Sequence, residues 1–449
     1  MATINKPLPV QRTHEGAVSR RISAEQELKR SVMACMLFED TFYESGQSIA
    51  DRIKSLIPSC RPFVVADIAV EAREKMKLRH VPLLLARELA RHPASGGVFP
   101  VSELLERIIQ RPDELTEFLA IYWKEKRQPL SAQVKKGLAR AFVKFSAYQL
   151  AKYNRDGAVK LRDVMFLVHP KPTTEKQEEA WRMLAEGTLP APDTWEVALS
   201  SGADKRDTWI RLIQENKLGS LAFLRNLRNM EQADVPEAVI RRGFEELNTE
   251  RVLPYRFVAA ARYAPKWEPE LENAMIRCVA NHAQLPGKTV LLIDVSGSMD
   301  AILSSKSDTT RIDAACGLAV LMREICERVE IFTFSSDLVR VPARRGFALR
   351  DAINKSQEHS STYFGRAVSA IDRNVPDYDR LIAITDEQSA DSVGGPKGKG
   401  YVVNVAAYKN GVGYGSWTHI DGWSEHVIGY IMELERWEKT QLSGNEQEN

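Results

Sequence analysis

Residues 289–300 read Thr-Val-Leu-Leu-Ile-Asp-Val-Ser-Gly-Ser-Met-Asp, and this stretch decides the fold. Val290 to Ile293 make a short, continuous run of β-branched and aliphatic side chains, the pattern of a strand covered on both faces. The run ends in three oxygen-bearing side chains, Asp294, Ser296 and Ser298. An Asp-x-Ser-x-Ser turn can gather such oxygens around one hard cation. C-terminal to it, strand and helix patterns alternate; N-terminal to it, the spacing is helical throughout.

On the C-terminal side the expected order is a strand at 290–295, a helix at 311–327, strands at 329–334 and 338–341, a helix at 365–373, strands at 381–385 and 401–406, and a last helix at 425–437. Such alternation implies a largely parallel, doubly wound α/β sheet with helices on both faces. Ligands in that architecture sit beyond the carboxyl ends of the strands, at the topological switch point. Thr362 precedes a helix and Asp386 directly follows a strand, so both reach the rim that holds Asp294. Asp294, Ser296, Ser298, Thr362 and Asp386 are an all-oxygen set drawn from three loops. They favour Mg²⁺ first, then Mn²⁺ or Ca²⁺, over zinc or copper. Because only two of the five are carboxylates, a bound cation could accept an anionic ligand, either a partner's carboxylate or a phosphate. Asp300, Asp308 and His359 stand close by in no recognisable catalytic pattern, so a non-catalytic protein is expected.

The N-terminal half reads as a long array of helices. At 23–38, Leu28, Val32, Cys35 and Met36 fall on one face, with Ser23 and Gln26 in a capping-box pattern. Further helices are expected at 63–77, 82–91, 101–109 and 114–126. At 131–153, Val134, Leu138, Ala141, Phe142 and Phe145 form an apolar stripe, while Lys135, Lys136, Arg140 and Lys144 make the other side wholly basic. Shorter helices follow at 161–168, 175–184, 194–199, 206–214, 218–226, 236–246, 255–263 and 270–282. Short breakers between them imply antiparallel neighbours, and without an exact period the array suits a degenerate solenoid of helical hairpins, with a plain bundle as the alternative.

Length and charge fit this division. A chain of 449 residues exceeds the roughly 250–300 residues at which one core stops growing. Residues 1–288 carry 45 Lys+Arg against 37 Asp+Glu, a net +8, and residues 289–449 carry 17 against 23, a net −6. A basic helical half suits a polyanion. No stretch reaches the ~20 apolar residues that span a bilayer, and the start is polar, so a cytoplasmic protein without a membrane role is expected. The five cysteines, Cys35, Cys60, Cys278, Cys316 and Cys326, are scattered singly, as packing residues in a reducing compartment are.

The set Asp294, Ser296, Ser298, Thr362 and Asp386 resembles the metal-ion-dependent adhesion site of von Willebrand factor A domains, over nearly all of 287–449; Ser361 stands where that family usually has glycine. The helical half resembles the TROVE module of Ro ribonucleoproteins. The resemblance rests on Lys152-Tyr153-Asn154-Arg155-Asp156-Gly157, on Leu161 to Pro172 with His169-Pro170-Lys171-Pro172, on Thr194-Trp195, on Leu221 to Met230 and on Pro254-Tyr255. It implies an N-terminal segment at 1–22 that is flexible, an all-α HEAT-like domain at 23–286, an A-type domain at 287–439 and a disordered tail at 440–449, arranged as a monomeric ring with a basic hole. It further implies binding of small noncoding, Y-like RNA and of single-stranded 3′ ends of misfolded RNAs, in RNA quality control, with a protein partner or ribonuclease at the metal site. By position, Lys152 and His169 match residues that face RNA in this family, and Arg155 stands one place from the family's arginine. Lys135, Lys136, Arg140, Lys144, Arg225 and Arg228 complete the candidate RNA surface. The competing expectation is a metal-dependent protein-interaction module whose helices are only scaffold.

Overall fold

The computed structural model describes residues 12–13, 16, 23–33, 45–92, 100–250, 252–304, 308–375, 377–406, 411 and 415–445, the last ten of these by their backbone alone. They divide into two compact units. One spans Ser48–Glu246; the other spans Leu247–Asn449 and takes in the N-terminal helix Ala24–Met33.

The first unit is helical. Successive helices pack as neighbours, Pro62–Glu74 on His80–Leu89 and Trp195–Ser200 on Lys205–Gln214, with Val101–Ile108 lying against Ala132–Val143. That last crossing is close because of Gly137: a Cβ there would stand 2.8 Å from Leu105 Cβ and 2.9 Å from the Ser102 backbone. A buried ion pair ties the layers. Arg73 donates to Glu114 at 2.7 Å and to the Ile108 carbonyl at 2.9 Å, while the other Glu114 oxygen accepts the Gln110 and Arg111 amides. Burial is the largest effect on Arg73 and lowers its pKa, against the opposing pull of Glu114.

Several sequence expectations change in this unit and its neighbour. The helix expected at 131–153 is two helices, Ala132–Val143 and Ala147–Tyr153. The break is capped: Ser146 accepts the Gln149 amide while the Gln149 side chain accepts the Ser146 amide, a reciprocal box that starts a new helix. A helix at Gly46–Leu56 has no counterpart in the sequence reading. On helix Ser220–Gln232, Leu221 is 44% exposed, whereas Leu224 and Leu227 are buried. The Ser23–Gln26 capping box forms as its pattern implies. Cys35 and Met36 of the same expected stripe, and nearly all of 1–22, lie outside the described residues. Of the other cysteines, Cys60, Cys316 and Cys326 are buried and Cys278 half-buried, all as free thiols.

The second unit holds a six-stranded sheet: β1 Leu285–Asp294, β2 Cys326–Phe334, β3 Leu338–Arg340, β4 Arg380–Thr385, β5 Lys399–Asn404 and β6 Trp417–Asp421, in the order β3-β2-β1-β4-β5-β6. Only β3 is antiparallel. Because β1 lies between β2 and β4, the chain winds outward from it in both directions and the switch point falls at its carboxyl end. One face is packed by Val290, Leu292, Phe334, Phe364, Val368, Ile371 and Trp417. Helix Arg311–Ile325 is buried along most of its length and packs against Tyr255–Tyr263. Arg380 clamps the last helix, His426–Asn445, through a fork onto both Glu435 oxygens at 2.7 and 2.8 Å.

β6 and the helix Gly346–Asn354 are additions to the sequence expectation. The helices Tyr255–Tyr263 and Glu268–Ile276, read from sequence as the end of the helical array, belong to the unit that holds the sheet, which begins at Leu247 rather than at 287. The last helix continues through Asn445, so most of the tail expected to be disordered from 440 is helical. Among the described residues no helix is long and apolar enough to cross a membrane.

Candidate functional site

Asp294 ends β1 and Asp386 follows β4, the strand paired beside it. Both carboxylates are buried, at 0% and 1% exposure. Each oxygen of Asp294 is held by a neutral donor, Oδ1 by the Ser296 amide at 2.8 Å and Oδ2 by the Thr385 hydroxyl at 2.6 Å. Ser296 Oγ lies 3.3 Å from Ser298 Oγ, which donates to Asp386 Oδ2 at 2.6 Å. Four of the five oxygen residues expected from sequence therefore form one connected chain. The fifth, Thr362, is buried and joined through backbone. Its carbonyl accepts the Ala390 amide at 2.8 Å, from the loop after Asp386, and two residues earlier the Ser360 carbonyl accepts the Gly297 amide at 2.9 Å.

Electrostatics explain what this cluster can hold. Burial, then the negative charge of Asp386, raises the Asp294 pKa well above the usual carboxylate range. Two desolvated acids with neutral hydroxyls between them are costly without positive charge. The donor set, hard and all oxygen, fits a divalent cation such as Mg²⁺. Asp294, Ser296, Ser298, Thr362 and Asp386 would hold it, and the cation would supply a Lewis-acidic point at which an oxyanion could dock.

Three residues at this rim were missed by sequence. Thr385 is the Asp294 donor described above. Arg311, at the first turn of its helix, donates to Asp386 Oδ2 at 3.1 Å and to the Ser298 carbonyl at 3.3 Å, with its side chain 3% exposed. Glu387, next to Asp386, has a left-handed backbone (φ 62°) and is buried between Arg30 at 2.8 Å and His419 at 3.0 Å. The one signal available for Arg311 was its place in the first turn of an apolar helix, where a cation opposes the helix dipole and so calls for an anion.

The candidate RNA residues lie in the helical unit. Lys135 and Lys136 are exposed on Ala132–Val143, a helix that packs against Leu161–Val168. His169 caps the latter in a left-handed conformation (φ 47°) with its ring exposed. Arg155 is exposed and Lys152 half-buried beside the Tyr153 ring. Arg225 and Arg228 are exposed on Ser220–Gln232 and, among the described residues, make no ion pair with Glu231 or Asp234. Two members of the expected basic face are engaged. Arg140 meets Glu106 at 3.4 Å, and the Lys144 ammonium donates to the Glu106 and Ile109 carbonyls at the end of Val101–Ile108.

The TROVE domain family matches residues 182–360. The structure is similar to the crystal structure of the Deinococcus radiodurans RO (RSR) protein, with a TM-score of 0.54 and 15% sequence identity, over 90% of this chain and 97% of that chain. Over residues 182–360 the chain is similar to the TROVE domain. The TROVE match crosses from the helical unit into the sheet unit, so it includes Arg225, Arg228, Asp294, Ser296, Ser298 and Arg311, while Thr362 and Asp386 lie beyond it. At this identity the structural likeness speaks for the fold alone, helices followed by an α/β sheet. No curated protein matches the chain by sequence.

Proposed function

We propose that this protein is an RNA-binding ribonucleoprotein component of Ro type. In this reading it takes small noncoding RNA and single-stranded 3′ ends on its helical unit, and carries a divalent-cation site for an acidic partner on its sheet. The observation that carries the RNA assignment is the set Lys135, Lys136, Arg225 and Arg228, four cations exposed on two helices. Cations left in water in this way neutralise phosphates and release counterions, giving affinity without demanding sequence. The TROVE match and the fold support the same reading.

The test is a mobility-shift titration of the full chain against an RNA bearing a single-stranded 3′ tail and against a blunt duplex of equal length. The tailed RNA is expected to bind more tightly, with log K falling by ~0.7 per phosphate contact for each unit of log salt. Reversing all four cations to Glu should flatten that slope. Unchanged slope and affinity in the reversed protein would exclude this surface, and equal affinity for the blunt duplex would exclude recognition of single strands.

The second reading, a metal-dependent interaction module without RNA, is favoured by the buried Asp294–Asp386 pair. Retention of partner binding with no RNA binding at any salt would select it.

A further inference from the structure

The oxygen cluster at the carboxyl ends of β1 and β4 contains a cation that its motif does not specify. Arg311 enters from the first turn of helix Arg311–Ile325, the positive end of the helix dipole, where a guanidinium is disfavoured unless an anion compensates it. Asp386 is that anion, reached at 3.1 Å, and the same guanidinium nitrogen holds the Ser298 carbonyl at 3.3 Å. The two carboxylates are thus treated unequally. Among the described residues Asp294 receives an amide and a hydroxyl, whereas Asp386 receives the Ser298 hydroxyl and a full positive charge on one oxygen. Arg311 cannot lose its proton in a protein, so this charge is permanent.

We propose that Arg311 is a resident counter-charge that sets the cation affinity of the site: it offsets one of the two carboxylates and so weakens the hold of the site on a divalent ion. The inference rests on the cation reading above and deepens it. Its physical content is a competition. Without a divalent ion, Arg311 offsets Asp386 and ties it to the Ser298 carbonyl. A bound ion would be repelled by the same guanidinium, which stands against Asp386 and the Ser298 carbonyl. Coulomb repulsion between a unit charge and a divalent ion at that range is worth about tenfold in affinity even when screened as in water. A site built in this way holds its ion loosely while keeping its loops ordered.

The experiment is calorimetric titration of Mn²⁺ into the chelator-treated full chain, as wild type, Arg311→Met, Arg311→Gln and Arg311→Lys, with Asp386→Asn as the ligand-loss control. Arg311→Met and Arg311→Gln should bind Mn²⁺ about tenfold more tightly or better, while Arg311→Lys, which keeps the charge, stays close to wild type. Thermal melting gives the second readout. The two neutral variants should melt lower than wild type in chelator and gain more from saturating Mn²⁺. Using Arg311→Gln beside Arg311→Met protects the test against one variant failing to fold. If the wild type binds Mn²⁺ and both neutral variants bind it no more tightly, the role of Arg311 is overturned and the cation site stands. If no variant and no wild type binds Mn²⁺, the cation site falls and the inference with it.

Discussion

The two units handle charge in opposite ways. In the helical unit Lys135, Lys136, Arg155, Arg225 and Arg228 are exposed, and the buried Arg73 and Arg87 are matched by Glu114 and by Glu88 and Glu125. In the sheet unit the rim buries Asp294, Asp386, Glu387 and Asp421, each at 1% exposure or less. Burial is the largest effect on Asp421 and raises its pKa. Exposed cations can be neutralised by a ligand as large as a nucleic acid. Buried carboxylates can be neutralised only by something small, an arginine from the protein itself or a metal ion. The sign of the charge and the depth at which it lies together select the class of ligand.

This contrast can be broken at its strongest point first. Arg30 and Glu387 have side-chain exposures of 2% and 1% and meet at 2.8 Å. Removing one partner of a buried pair typically costs ~3–5 kcal/mol, so Arg30→Ala should lower the melting temperature of the full chain more than either Gly137→Ala or Lys144→Met does. A loss under about 1 kcal/mol would show that the buried rim tolerates uncompensated charge.

Gly137→Ala comes next. It places a methyl group against Leu105 and Ser102 in the helical unit and should cost about 1–3 kcal/mol by chemical denaturation, with cation binding in the sheet unit unchanged. The smallest effect separates two kinds of lysine on one basic face. Lys144→Met should cost about 1 kcal/mol, since it uncaps the carbonyls of Glu106 and Ile109. Lys135→Met and Lys136→Met should stay within about 0.5 kcal/mol of wild type while still weakening RNA binding. Equal stability losses at all three lysines would erase the distinction between capping and free cations.

Much of this was legible in the sequence because it is local. The apolar run before Asp294 and the spacing Asp-x-Ser-x-Ser specify a strand and a turn within ten residues, and four of the five oxygen residues meet in one bonded chain. Arg311 was not legible, because its role depends on a helix returning to the rim and on Asp386, 75 positions away. Glu387 was hidden for the same reason, its partners lying on the N-terminal helix and on β6. β6 itself, Trp417–Asp421, follows a glycine-rich segment and is only five residues long, too short for its alternation to stand out. By contrast, the break at Ser146 was written in the chain as Ser-x-x-Gln, and the apolar stripe running through Phe145 concealed it.

The Arg30–Glu387 contact joins residues 357 positions apart. On a ribosome adding ~5–20 residues per second, the N-terminal helix emerges tens of seconds before its carboxylate partner. During that interval Leu28, Val32 and Met33, all fully buried in the finished protein, have no sheet to cover them. The rim of the sheet is therefore completed by a segment translated 357 positions ahead of its partner, and that apolar helix face must wait uncovered in the meantime.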